Sequence, residues 1–140
     1  PRYCEFFNDK NFIFCLPTAV LVSSNDYDRA IKKFYNNPAG LVMSAVKYNI
    51  SPYLALSKES KSFTPLFPEK FMEPTSNLPD TVTDCGCFYI LNHEIASKVD
   101  KLIDIKPLYV HVLDSNKGID LDNEDDWHNL EQKYYQQKSK

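Results

Sequence analysis

The sequence predicts an α/β domain in which a mostly parallel sheet is flanked by helices, and three observations predict it. Asn11 to Leu16 and Leu41 to Val46 are short, unbroken apolar runs, the kind that forms strands covered on both faces. Between them Tyr27, Ala30, Ile31 and Phe34 recur at helical spacing, with Arg29, Lys32 and Lys33 on the opposite side. Strand character then returns over 83–91 and again over 107–113, after the chain has left this βαβ-like unit.

Each element has its own punctuation. The first strand stops at Pro17-Thr18, and Ser23-Ser24-Asn25-Asp26 supplies side chains that favour a helix start. Asn36-Asn37-Pro38-Ala39-Gly40 ends that helix, and the second apolar run follows. From 51 to 80 the character changes: Pro52, Pro65, Pro68, Pro74 and Pro79 interrupt short segments such as 53–56 and 62–67. Edge strands and irregular connections are expected there. The strand over 83–91 turns at Asn92-His93 into a helix near 94–101, a strand covers 107–113, and Trp127, Leu130 and Tyr134 mark a last amphipathic helix with a solvated Gln/Lys tail.

Composition narrows the function. The chain has 140 residues, enough for one domain, and 43 % of them are apolar, enough for a sizeable core. A net charge of −3 gives no electrostatic case for nucleic acid or an anionic membrane surface. No apolar run approaches the roughly 20 residues of a membrane-spanning helix, and no signal segment opens the chain, so a soluble cytoplasmic protein is expected. Cys4, Cys15, Cys85 and Cys87 are too few and irregular for a secreted disulfide scaffold, and the C-x-C pair lacks a second pair for zinc; buried reduced thiols are predicted. His93, His111 and His128 are dispersed, which argues against zinc or a Ser-His triad, with His128 on the outer flank of the last helix. Lys32 and Lys33 belong to a solvated face. Only Gly40, Gly86 and Gly118 occur, so no segment can form a glycine-rich loop that wraps phosphate with backbone N–H groups.

The acidic stretch from Gly118 to Trp127 carries the most chemistry. On an extended segment Asp120 and Asp122 share one face while Ile119 and Leu121 share the other. Two carboxylates backed by a core make a seat for a hard divalent cation such as Mg²⁺. The same residues allow a different account: Asp122 caps the following helix, and Glu124, Asp125 and Asp126 fill its first turn, where the helix dipole favours negative charge.

Three segments in order resemble the acylneuraminate cytidylyltransferases, the CMP-sialic acid synthetases and their relatives acting on pseudaminic and legionaminic acids. They are Phe14-Cys15-Leu16-Pro17-Thr18-Ala19, then Asp84-Cys85-Gly86-Cys87-Phe88-Tyr89, then Ile119-Asp120-Leu121-Asp122 before Asp125-Asp126-Trp127. The Asp84–Tyr89 segment most resembles the pseudaminic branch, associated with flagellin glycosylation, and Val42 to Lys47 followed by Pro52 is similar to the family's central strand and the start of its dimerisation region. The resemblance implies a Rossmann-like sheet of the nucleotide-diphospho-sugar transferase type, with 51–82 as the inserted dimerisation segment. It implies Mg²⁺-dependent transfer of CMP from CTP to a nine-carbon 2-keto acid sugar, releasing pyrophosphate, by a homodimer. By motif match Asp120 and Asp122 would be the catalytic, metal-holding carboxylates, and Tyr89, Gly86 and Thr18 would face substrate. The resemblance covers the C-terminal portion of a family member: the family's nucleotide loop has no counterpart in 1–140, so this isolated chain is expected to be inactive. Its Leu16-Pro17-Thr18-Ala19-Val20 turn is one residue shorter than the family's. Two other readings are open: a non-catalytic, dimerising scaffold, and an unrelated metal-dependent nucleotidyl- or glycosyltransferase.

Overall fold

The computed structural model describes residues 10–37, 40–119 and 121–138. The chain divides into two compact units, Lys47–Thr83 and the remainder. The larger unit is built on a four-stranded sheet of order β1-β5-β2-β6, with β1 Asn11–Cys15, β2 Leu41–Lys47, β5 Val82–Asn92 and β6 Leu108–Val112.

β2 is the apolar run expected to be buried, and Leu41, Val42, Ser44 and Ala45 are all inaccessible to solvent. It pairs in parallel with β6, Leu41 opposite Leu108 and Ala45 opposite Val112. β5 lies between β1 and β2. It runs antiparallel to β1, Asn11 opposite Asn92 and Cys15 opposite Phe88. It also runs antiparallel to β2: the Asn92 N–H reaches the Gly40 carbonyl at 3.2 Å, and the Phe88 N–H reaches Ser44 at 3.0 Å.

Two expectations are corrected here. The sheet is mixed, with one parallel and two antiparallel pairings among the described strands, where mostly parallel pairing was expected. A parallel return needs a crossover, usually helical, to carry the chain back along the sheet. Between β2 and β5 the only α-helix among the described residues is the four-residue Pro68–Phe71, and the chain re-enters in the opposite sense. Strand, helix and strand thus form a split βαβ unit: β1 and β2 share a direction but β5 separates them. The other correction concerns β1, which is an edge strand rather than one covered on both faces. Its Ile13 and Phe14 are 38 % and 40 % exposed.

Helix α1 (Ser24–Asn36) starts where the Ser/Asn/Asp cluster predicts. The Asp26 carboxylate accepts from both the N–H and the hydroxyl of Ser23, at 2.9 and 2.6 Å, which fixes the first turn. Ala30 and Phe34 face inward, with Tyr27 and Ile31 packed beside them, and join Val42, Phe88, Ile90 and Leu113 in one core cluster. Adjacent strand residues point to opposite faces. Leu41 and Leu91 accordingly turn to the other side, where they meet Ala96 and Ile105. Burial of a side chain such as Phe88 stabilises the fold by roughly 2–3 kcal/mol. The helix expected near 94–101 is shorter, α3 His93–Ala96, with the Asn92 side chain accepting the Ile95 N–H at 3.1 Å. The last helix is α4 (Glu124–Lys138), with Leu130 buried and His128 exposed as expected.

The smaller unit is proline-rich and has little regular structure. Strands β3 (Leu56–Glu59) and β4 (Ser62–Pro65) form an antiparallel hairpin closed at Ser60, which takes a positive φ of 57°. Tyr53 and Phe67 rings meet edge-on at 5.1 Å, and helix α2 (Pro68–Phe71) follows. Leu56, Phe63, Leu66 and Met72 remain exposed. The segment set apart in the sequence as 51–82 falls within this unit. No helix among the described residues is long and apolar enough to cross a membrane.

Candidate functional site

The three strands that share a direction (β1, β2 and β6) end on the same side of the sheet, where β5 begins. In open α/β sheets, loops beyond such strand ends are where ligands bind. The bend of β5 at Gly86 lies there. Gly86 has φ +66°, a left-handed conformation that costs a side-chain-bearing residue about 1–2 kcal/mol. Asp84 holds the bend: its Oδ1 accepts the Gly86 N–H at 2.9 Å, and its Oδ2 accepts the Tyr89 hydroxyl at 2.7 Å. Burial and then the Asp84 hydrogen bond push the Tyr89 phenol well above its ordinary pKa, so it stays a proton donor. On the far side of the strand, Ser44 Oγ accepts the N–H groups of Cys87 and Phe88 at 3.1 and 3.0 Å.

Two neighbours converge on this bend. A Cβ built on Gly86 would lie 3.3 Å from Leu16 Cδ1, so the end of β1 approaches closely. A Cβ on Gly118 would fall 2.5 Å from Val46 Cγ1 and 2.8 Å from Cys85 Cβ, so only glycine lets the loop leading into the acidic stretch pass. The end of β1 and the residue just before the acidic stretch therefore both lie against the 84–89 segment. Lys117 anchors the same loop to the start of α1, with Nζ 2.5 Å from Asp26 Oδ2. Burial pushes the Asp26 carboxyl upward, but hydrogen bonds from Lys117 and Ser23 outweigh it and hold the group at about 2.

The sequence-predicted residues fare unequally. Gly86 and Tyr89 are tied together through Asp84. Thr18 is half-buried in the turn after β1, which is closed by the Ala19 N–H on the Leu16 carbonyl at 3.1 Å. Asp120 lies outside the described residues. Asp122 is exposed, and neither it nor residues 118–119 belong to a strand. Asp122 is not the helix cap either. Asn123 Oδ1 accepts the Asp126 N–H at 3.0 Å, and Asp126 Oδ2 accepts the N–H groups of Asp122 and Asn123 at 3.1 and 3.2 Å. The cap thus leaves the Asp122 carboxylate outside it. Among the described residues no three His, Cys, Asp or Glu side chains gather as a metal site. The donor chemistry nonetheless suits Mg²⁺, which takes one or two protein carboxylates and fills its shell with water and phosphate oxygens.

Three participants carry little signal of their own in the sequence. Asp84 stands out only as part of a motif, Ser44 as one polar residue in an apolar run, and Asp26 as a helix-start residue. An isolated hydroxyl in a buried strand is the signal that points to Ser44, since a buried polar group needs a partner. Cys15, Cys85 and Cys87 form no disulfide, the last two buried as expected and Cys15 exposed. Two clefts lie along α4 and involve none of Thr18, Gly86 and Tyr89. One of about 290 Å³ is lined by Val20, Trp127, Leu130 and Tyr134 among others, and one of about 260 Å³ by Lys117, Lys133 and neighbouring polar residues. Compared with known proteins, the chain is matched by no family model and by no curated protein.

Proposed function

We propose that this chain is the C-terminal portion of a cytoplasmic cytidylyltransferase that transfers CMP from CTP to a nine-carbon 2-keto acid sugar of the sialic or pseudaminic type. The observation that supports it is the close approach of Leu16 to Gly86 and of Gly118, at the entry to the acidic stretch, to Cys85. Asp120 and Asp122 would hold Mg²⁺. The ion, when bound, neutralises charge on phosphate oxygens and lowers the pKa of the attacking sugar hydroxyl. Tyr89, kept protonated and aimed by Asp84, orients the sugar by hydrogen bonding, and Gly86 lets substrate approach the backbone. Thr18 would border the same space. The reading carries with it a Rossmann-like sheet, of which β1, β2 and β6 with their common direction would be part.

The test is CMP-sugar formation by the full-length protein with Mg²⁺ and a series of nucleoside triphosphates. Preference for CTP over UTP and ATP is expected. Asp120→Asn and Asp122→Asn should each abolish Mg²⁺-dependent turnover while leaving the circular dichroism spectrum unchanged. Equal use of UTP, or both variants keeping wild-type Mg²⁺ dependence, would refute the assignment. The 140-residue chain alone should not turn over CTP, since its three dispersed glycines form no phosphate-wrapping loop.

An alternative reading, a dimerising scaffold without turnover, is favoured by the apolar residues exposed in 47–83, Leu56, Phe63, Leu66 and Met72, the last at 88 %. It predicts a homodimer by light scattering together with no CMP-sugar from the full-length protein.

A further inference from the structure

We propose that Cys85 and Cys87 are a redox-responsive dithiol, which a hydroperoxide converts into an intrachain disulfide spanning Gly86. The inference is independent of the nucleotide reading and rests on the placement of two sulfurs.

In a regular strand, residues two apart share a face but their side chains stand parallel and separate. Here the left-handed bend at Gly86 tips the two side chains together, and the sulfurs lie 3.7 Å apart. Closing from there to a bond of about 2 Å takes side-chain rotation within a stretch of backbone that is already bent. Both thiols are buried in the same core cluster. A bulky disulfide reagent is thereby excluded, whereas a molecule the size of hydrogen peroxide needs only a small opening. The Cys85 thiol is also acidified: the hydrogen bond with Cys87, against the opposing effect of burial, brings it down to about 6, with Ser44 assisting.

The chemistry balances in two steps. The Cys85 thiolate attacks one peroxide oxygen, the O–O bond breaks, and hydroxide leaves, giving a sulfenic acid at Cys85. The Cys87 sulfur then attacks the Cys85 sulfur and expels the sulfenic oxygen as water, the Cys87 proton going with it. Two thiols and one peroxide become one disulfide and two waters. Closure removes the Cys87 S–H, whose acceptors are the Cys85 carbonyl at 3.6 Å and the Lys117 carbonyl at 3.8 Å, and shifts the Cys85 side chain, which borders Gly118. The loop that leads into the acidic stretch therefore registers the change.

Trypsin supplies a clean readout, because the peptide from Phe71 to Lys98 contains Cys85 and Cys87 and no other cysteine. The protein is exposed to hydrogen peroxide, unfolded, alkylated and digested. The expected product is this peptide unalkylated and about 2 Da lighter, restored to two alkyl groups by dithiothreitol, while Cys15→Ser protein behaves the same way. In Cys87→Ser protein with an unchanged circular dichroism spectrum, dimedone should capture the sulfenic acid at Cys85. The proposal is overturned if the peptide still takes up two alkyl groups after peroxide doses that oxidise Cys15. It is equally overturned if Cys85 and Cys87 pass to sulfinic acids with no disulfide formed.

Discussion

The Tyr89 hydroxyl donates a 2.7 Å hydrogen bond to Oδ2 of Asp84, five residues earlier on the same strand, while Oδ1 of that carboxylate accepts the Gly86 N–H. One side chain thus sets both the backbone bend and the direction of the phenol. Tyr89→Phe keeps the ring and deletes the bond, at a stability cost of about 0.5–1.5 kcal/mol. In the full-length enzyme it should raise the KM for the keto-sugar more than that for CTP; equal losses for both would speak against Tyr89 as a sugar-facing residue. Because burial and Asp84 raise the phenol's pKa, the protonated form is the one the fold favours. This contribution is complete below about pH 10 and fades as pH rises further, so alkaline unfolding of Tyr89→Phe should show a smaller pH dependence.

Asp26 gives the opposite sign. Its folded value of about 2 is depressed below the ordinary carboxylate value. The stabilisation is therefore present above about pH 4 and is lost as pH falls through 2, amounting to about 2 kcal/mol. Urea unfolding at a series of pH values should show this loss in wild type and a flatter acid limb in Asp26→Asn. Lys117→Met should reproduce most of the effect, since it removes the main partner.

Ser44 Oγ is the acceptor for two amides in the centre of the sheet. Ser44→Ala leaves them short of a partner in a site that excludes water, and a loss of about 1–3 kcal/mol is expected from chemical denaturation. Hydrogen exchange should accelerate at Cys87 and Phe88 ahead of the rest of β5. Uniform acceleration would mean that the hydroxyl acts on global stability only.

At Gly118 even a methyl group meets Val46 and Cys85. Gly118→Ala should destabilise the fold by about 1–3 kcal/mol through overpacking, read as a drop in Tm. Val46→Ala in the same chain should recover part of the loss by making room, and a strictly additive double variant would show that the clash lies elsewhere.

Local features of the fold are legible in the sequence and non-local ones are not. Helix α1 announces itself through Ser23 and Asp26 at its start and through Ala30 and Phe34 on its inner face, all within one stretch of chain. The buried strand β2 is equally plain. An apolar run, however, does not say whether it sits at the centre or the edge of a sheet, which is why β1 reads as covered on both faces and is not. The pairing direction of β5 depends on the route taken through 47–83, and no periodicity within β5 encodes that route. Asp122 and Asn123 are neighbours that can both cap a helix, and spacing does not choose between them. The Lys117–Asp26 bond joins residues 91 apart and leaves no local trace.

The position of β5 also governs the order in which the molecule can be completed during synthesis. A ribosome releases β1, α1 and β2 well before the strand that belongs between them. Until that late arrival, two apolar ribbons wait with their inner edges bare, and pairings so distant in sequence close slowly. A nascent chain stalled or terminated before Asp84 has no central strand at all, and quality-control proteases would meet it as an open, adhesive half-sheet rather than as a shorter version of the same domain.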